Sequence, residues 1–181
     1  RIGRHVIDSP VVLAPMAGIT NVAFRRLCRE QGAGLYVCEM ITSRGLVEGD
    51  ETTRRMLVFD ERETVRSVQL YGTDPAYVAR AVEILCADHG VDHVDLNFGC
   101  PAKLVNRHDG GASLLRQPER VYQAVRAVAD ALAGEIPVTA KIRLGFANRR
   151  MAVTCAQATQ AGGAARLVVH GRTRDEGYRP P

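Results

Sequence analysis

The sequence predicts an α/β protein, a (β/α)8 TIM barrel truncated to its first six strands. Three observations carry this. Six short β-type runs, at 11–14, 35–38, 65–70, 93–96, 138–142 and 167–170, start 24, 30, 28, 45 and 29 residues apart. Repeated βα units of that size require parallel strands joined by crossover helices. A full barrel takes ~250 residues, so 181 residues suit six units. The competing architecture is an open doubly wound sheet; no G-x-G-x-x-G follows the first run, which counts against it.

The elements can be justified in order. Several of the β-type runs are continuously apolar, as expected of strands covered on both faces. Thr20 or Asn21 can cap a helix reaching Gln31, with Gly32 as its stop. Residues 41–55 carry a weak helical pattern. Asp74-Pro75 sets a cap followed by proline at the first helical position, and that helix runs to His89 with Gly90 behind it. Gln117-Pro118 repeats the device, ending at Gly134, and a last helix spans 149–161 before Gly162-Gly163. The long interval after the fourth strand holds 99–116, which reads as a substrate-covering loop.

Composition narrows the class. Hydrophobic residues make up 46% and charged residues 24%, which argues against disorder. No apolar run approaches the ~18–20 residues of a membrane helix and no signal peptide opens the chain, so the reading is cytoplasmic, with no membrane partner. Arg1 at the start and Pro180-Pro181 at the end read as cuts in a longer chain. Five cysteines without a C-x-x-C pair give neither a disulfide framework nor a metal site. The formal charge is +4, carried by 22 Arg and 2 Lys.

In an α/β sheet of either architecture, chemistry belongs at the carboxyl ends of the strands. Those ends read Ala14-Pro15-Met16-Ala17-Gly18, Cys38-Glu39-Met40, Gln69-Leu70-Tyr71-Gly72, Asn97-Phe98-Gly99-Cys100-Pro101, Lys141-Ile142-Arg143 and His170-Gly171-Arg172. A structural barrel has no need to end apolar strands on Gln69, Asn97, Lys141 and His170. Buried without partners they would cost several kcal/mol, whereas a ligand rich in carbonyl and ring-nitrogen acceptors satisfies them. His5, His89 and His93 lack a partner pattern and read as surface or packing residues. Lys103, Arg107, Arg116, Arg143, Arg149, Arg150, Arg172, Arg174 and Arg179 follow strands four to six, against Asp109, Asp175 and Glu176, which makes that face attractive to phosphates.

APMAG (14–18), VQLYG (68–72), DLNFGCPAKLV (95–105), GGASLL (110–115), KIRLG (141–145) and VVHGRT (168–173) together resemble the tRNA-dihydrouridine synthases. The resemblance covers essentially the whole chain. It implies an FMN-dependent barrel that reduces a uridine in tRNA, with NADPH reducing the flavin. It also implies hydride transfer to C6 of uracil, with Cys100 as the catalytic acid that protonates C5. A thiol with a reference pKa of ~8.5 is mostly protonated at neutral pH and close enough to it to act. By the same resemblance Pro15, Met16, Ala17, Gln69, Lys141 and His170 bind the cofactor, while Asn97, Arg143 and Tyr178 meet the substrate. A cation at Lys141 would stabilise an anionic reduced flavin. A target uridine would have to leave its stack to enter such a pocket. Residues 1–181 would form the catalytic barrel portion. The strands that hold the FMN phosphate and a helical tRNA-binding domain would lie beyond Pro181, leaving this piece weakly active alone. Two rivals stay open: an FMN barrel reducing a free pyrimidine, like a dihydroorotate dehydrogenase, and an inactive or merely RNA-binding truncated barrel.

Overall fold

A computed structural model describes residues 1–179; Pro180 and Pro181 lie outside the described residues. Six strands form one parallel sheet in sequential order: β1 (Val12–Leu13), β2 (Leu35–Thr42), β3 (Ser67–Tyr71), β4 (His93–Phe98), β5 (Val138–Arg143) and β6 (Arg166–His170). A doubly wound sheet would reverse direction at a switch point; this one never does, and it curls into six consecutive units of a (β/α)8 barrel.

The helices form where caps and proline predict. α1 (Val22–Glu30) starts on Asn21, whose side chain accepts the Phe24 N–H. α2 (Ser43–Val47) and α3 (Glu51–Arg55) are single turns, and the second is capped by Asp50. α4 (Pro75–His89) begins with Asp74 as cap and Pro75 in its first turn, and ends at Gly90, which takes the left-handed conformation (φ 57°). α5 (Lys103–Arg107) and a 3-10 turn, Gly111–Arg116, fill the long interval after β4. α6 (Pro118–Ala131) and α7 (Ala152–Ala161) complete the outer layer.

The main core lies between the outer face of the sheet and this helical layer. Val68, Leu70, Val94, Leu96, Phe98, Ala140 and Ile142 point outward from alternate strand positions and pack on Val78, Val82, Leu85, Val121 and Val125. A smaller cluster of Ile2, Leu35, Val37 and Val65 closes the bottom of the barrel. The strands are therefore not apolar on both sides. Their inner face carries Ser67 and Gln69 on β3, His93, Asp95 and Asn97 on β4, and Thr139, Lys141 and Arg143 on β5. The run H-V-D-L-N-F alternates with the period of two that a pleated strand demands.

β2 extends four residues beyond the run seen in the sequence. A bulge between Val37 and Met40 inserts one extra residue, so Met40 pairs with Gln69 where an unbroken ladder would bring Glu39. Among the described residues no helix is long and apolar enough to cross a membrane, and no cluster of His, Cys, Asp and Glu is arranged to hold a metal ion.

Candidate active site

The rim at the carboxyl ends of the strands begins with a tight turn after β1. The Ile19 and Thr20 N–H groups donate to the Met16 carbonyl, and Met16 N–H donates to Thr20 Oγ1 at 3.1 Å. Gly18 takes φ +73°, and its N–H donates to the Glu39 carboxylate, which the β2 bulge makes available. The turn rests on a buried ion pair. Arg25 and Glu63, at 0% and 1% side-chain exposure, are bonded twice, and Arg25 Nη1 also donates to the Thr20 carbonyl at 2.8 Å. Burying such a pair is tolerable because each guanidinium nitrogen has a partner, Nη2 a second one in the Val58 carbonyl. The result is a rigid mount presenting the backbone of Pro15, Met16 and Ala17 at the rim.

Inside the barrel a continuous polar network climbs toward the same rim. Asp95, fully buried, accepts from Thr139 Oγ1 and from Gln69 Nε2 (2.6 Å). Since Thr139 donates to Asp95, it accepts the Nε2–H of His93 at 2.9 Å, and His93 Nδ1 then accepts from Ser67 at 2.6 Å. Burial pushes the His93 pKa down to about 4, keeping the ring neutral in this tautomer, and pushes Asp95 upward against the pull of Thr139, Gln69 and Lys141. His93 is thus no surface or merely packing residue: alternation turns its ring inward, where two hydroxyls satisfy it. The upper end of the network is Asn97. Its Nδ2 donates to Gln69 Oε1 at 2.8 Å and touches Met40 Sδ at 3.5 Å. Its Oδ1 accepts the N–H groups of Gly99 (3.0 Å) and Cys100 (2.8 Å).

Cys100 is consequently held by its backbone on every side. Its carbonyl accepts from Asn106 Nδ2 (2.8 Å) and from the Ala112 N–H (3.1 Å). Ser113 in turn donates to Asn106, which fixes that amide's orientation. The second half of the stretch 99–116 is therefore no covering loop. Gly110 through Leu115 are buried, and they form a wall packed beneath the cysteine. Gly111 (φ +55°) lies so close that a Cβ there would sit 2.8 Å from the Cys100 carbonyl oxygen. The thiol is part-exposed, whereas Cys38 and Cys155 are buried, which pushes their thiols up to about 12 and about 11.

Strand register brings the remaining predicted residues together. Lys141 is the direct cross-strand partner of Asn97, and His170 is the partner of Arg143 one step higher. Lys141 is half-buried; desolvation lowers its pKa, Asp95 opposes that, and Arg143 adds to it. It makes no ion pair among the described residues. A cavity of about 90 Å³ beside it is walled by Ala14, Pro15, Asp95, Thr139 and Val168. His170 Nδ1 accepts the Arg172 N–H at 3.2 Å, so its Nε2 carries the proton and faces outward bonding. Burial and then the charges of Arg143, Lys141 and Arg172 lower its pKa, which favours the neutral ring.

Two predicted residues have other obligations. Gln69 is 1% exposed and lies under the rim, bonded to Asp95 and Asn97. Arg143 is 3% exposed and clamps three carbonyls, those of Gly99, Thr173 and Gly177, tying β4 to the turn after β6. Tyr178 lies over its guanidinium at 5.5 Å and is 78% exposed. The acids of the basic face are all engaged, Asp109 with Arg120, Glu176 with Arg149 and Asp175 with Arg174. Lys103, Arg107, Arg116, Arg150 and Arg179 stand exposed. Sequence reasoning missed Ser67, Asp95 and Thr139, though the period-two polar positions of β3, β4 and β5 were the available signal. Nothing local announced the Arg25–Glu63 pair.

Comparison with known proteins places this geometry. A family model described as "Dihydrouridine synthase (Dus)" matches residues 12–181. A probable tRNA-dihydrouridine synthase of Mycobacterium tuberculosis is 43% identical over 98% of this chain and 48% of its own length. A tRNA-dihydrouridine synthase B of Serratia marcescens is 43% identical over 96% of this chain and 52% of its own. The chain thus spans about half the length of the curated relatives it matches. Among solved structures, histamine dehydrogenase from Rhizobium sp. 4-9 shares the fold with a TM-score of 0.57 at 13% identity, covering 95% of this chain and 41% of that one.

Proposed function

Because this chain belongs to the dihydrouridine synthase family, we propose that it forms the catalytic barrel of an enzyme that reduces a uridine in tRNA to 5,6-dihydrouridine, with FMN as resident cofactor and NADPH as reductant. The observation that carries the reading is Cys100, seated through Asn97 at the end of β4 beside Lys141.

The donor set suits a planar, acceptor-rich ring. A half-buried ammonium without an ion pair among the described residues and an imidazole Nε2–H stand at the strand ends, Lys141 sharing a cavity with Ala14 and Pro15, and Met16 and Ala17 follow exposed. Lys141 and His170 would hold carbonyl and ring-nitrogen acceptors of the isoalloxazine, and Pro15, Met16 and Ala17 would line it. Gln69, bonded to Asp95 and Asn97, would support the ring from below. When bound, FMN would supply the hydride for C6 of uracil and be restored by NADPH.

The chain's own residues do the rest. Cys100 Sγ delivers the proton to C5, which saturates the C5=C6 bond, and the thiolate is reprotonated from solvent. Lys141 would stabilise the negative charge that the reduced cofactor carries before the hydride leaves. Tyr178 would meet the base, while Asn97 acts by holding Gln69 and Cys100, and Arg143 through the turn it clamps. Exposed Lys103, Arg107, Arg116, Arg150 and Arg179 attract the phosphates of tRNA.

The test compares substrates. The protein as its gene encodes it, given NADPH and tRNA lacking dihydrouridine, forms the modified base by mass spectrometry and leaves free orotate untouched. Reduction of orotate without any action on tRNA would instead establish the free-pyrimidine enzyme.

A further inference from the structure

Beside the Cys100 turn lies a second cleft, of about 570 Å³, that the proposed chemistry does not use. Its volume falls in the range of small-ligand sites, ~300–1,000 Å³. One wall is the end of β2, β3 and the start of α4, and the other is α5 with the turn His108–Gly110 that follows it. The inner end is Tyr71, one step beyond the Leu70–Leu96 pair and so level with Asn97. The cleft therefore starts at the rim position where a target base would sit and runs away from it.

Its lining suits a nucleotide. Tyr77 offers an aromatic ring whose other partner is the Arg44 guanidinium, 5.1 Å from the centroid. Leu104, at 69% exposure, is an apolar surface with nothing covering it among the described residues, and His108 beside it is exposed, its ring hydrogen-bonded to none of them. The two acids of the lining are engaged elsewhere: Asp74 caps α4 through the Ala76 N–H, and Asp109 lies 3.9 Å from Arg120. Arg44 also pairs with Glu48 at 3.6 Å, so what the cleft offers a ligand besides its two partnered carboxylates is the Tyr77 ring, the Leu104 side chain and the His108 imidazole, a set that takes a stacked base.

We propose that this cleft is a subsite for the RNA nucleotide adjacent to the target uridine. The inference rests on the tRNA reading given above. When a base is drawn out of its stack, its chain neighbour loses a stacking partner, and a surface that replaces it lowers the cost of extrusion. The cleft reaches the rim at Tyr71, on the strand next to Asn97 and at its level, which suits the neighbouring residue of the same RNA strand.

The experiment uses Leu104→Ala/His108→Ala in the protein as its gene encodes it, both positions being exposed and outside the packed core. Expected is a rise of about tenfold in KM for tRNA, with kcat at saturating tRNA and KM for NADPH unchanged. His108→Glu, which places a negative charge near the phosphate, raises KM for tRNA further and more steeply at low salt. An unchanged KM for tRNA overturns the subsite, and so does a rise confined to NADPH, which would make the cleft a dinucleotide site. Failure of the unsubstituted protein to reduce tRNA overturns the underlying reading instead, so the two failures are separable.

Discussion

Gly111→Ala is the substitution through which the seating of Cys100 can be read most cleanly. Two costs add at this position. A Cβ in the left-handed region (φ +55°) costs about 1 kcal/mol. That Cβ would also lie 2.8 Å from the Cys100 carbonyl oxygen, 3.0 Å from Cys100 Cβ and 3.1 Å from Val105 Cγ1, all closer than ordinary contact. Forcing an extra methyl into such a packed place costs a further ~1–3 kcal/mol. Gly134 supplies the control, since it has φ +78° but nothing within 4 Å of its would-be Cβ. Gly134→Ala should therefore lose about 1 kcal/mol and Gly111→Ala about 2–4 kcal/mol, measured by urea unfolding. The relief open to Gly111→Ala is a shift of the Cys100 carbonyl, which stretches its bonds to Asn106 and Ala112. A displaced acid loses rate steeply, so dihydrouridine formation falls at least about tenfold in Gly111→Ala and stays level in Gly134→Ala. Iodoacetamide labelling of Cys100, followed by peptide mass spectrometry, reports the displacement independently of turnover. Equal stability, labelling and activity in the two variants would refute the packing argument.

The buried groups below the rim make further demands. His93 has a folded pKa of about 4 against ~6.5 unfolded, so between these values the unfolded chain binds the additional proton. Stability is then complete above about pH 6.5 and falls as pH drops toward 4, by on the order of 3 kcal/mol in all; urea midpoints at pH 7 and pH 4.5 measure this, and His93→Asn should flatten the slope. Glu63→Ala leaves the Arg25 guanidinium buried and uncompensated, and should cost about 3–5 kcal/mol in chemical denaturation. Arg25 also bonds the Thr20 carbonyl, so the same variant should loosen the turn at Met16 and Ala17 and weaken FMN binding in a fluorescence titration.

The sequence disclosed elements better than interiors. Asp74-Pro75 and Gly90 bounded α4 to the residue because caps and proline act locally. The βα rhythm disclosed the barrel because each crossover has a minimum length. The end of β2 escaped because a bulge depends on its neighbour strand, so Glu39 and Met40 could not be given their faces in advance. The segment 99–116 was misjudged for a related reason. Gly110 and Gly111 are there because Val105 and Cys100 leave no room for side chains, a constraint set by neighbours that meet only in the fold. Gln69, Asn97 and Lys141 were legible as polar strand ends, but the bonds that join Gln69 to Asp95 and Asn97 to Gln69 were not, since each links residues far apart in the chain. Arg143 shows the limit most plainly. A charged residue at a strand end looks like a ligand group until the three carbonyls around it are seen.

The proposed chemistry turns on one thiol, and Cys100→Ala in the protein as its gene encodes it tests that directly. The carbonyl and amide of residue 100 keep their bonds in this variant, so FMN and tRNA binding should persist. The dihydrouridine content of tRNA, measured by mass spectrometry at early times, should drop by about 10²–10⁴-fold in rate, the usual loss when a positioned acid is removed. Dihydrouridine formed at an undiminished rate would mean that C5 takes its proton from elsewhere, and the assignment of Cys100 as the acid would be wrong.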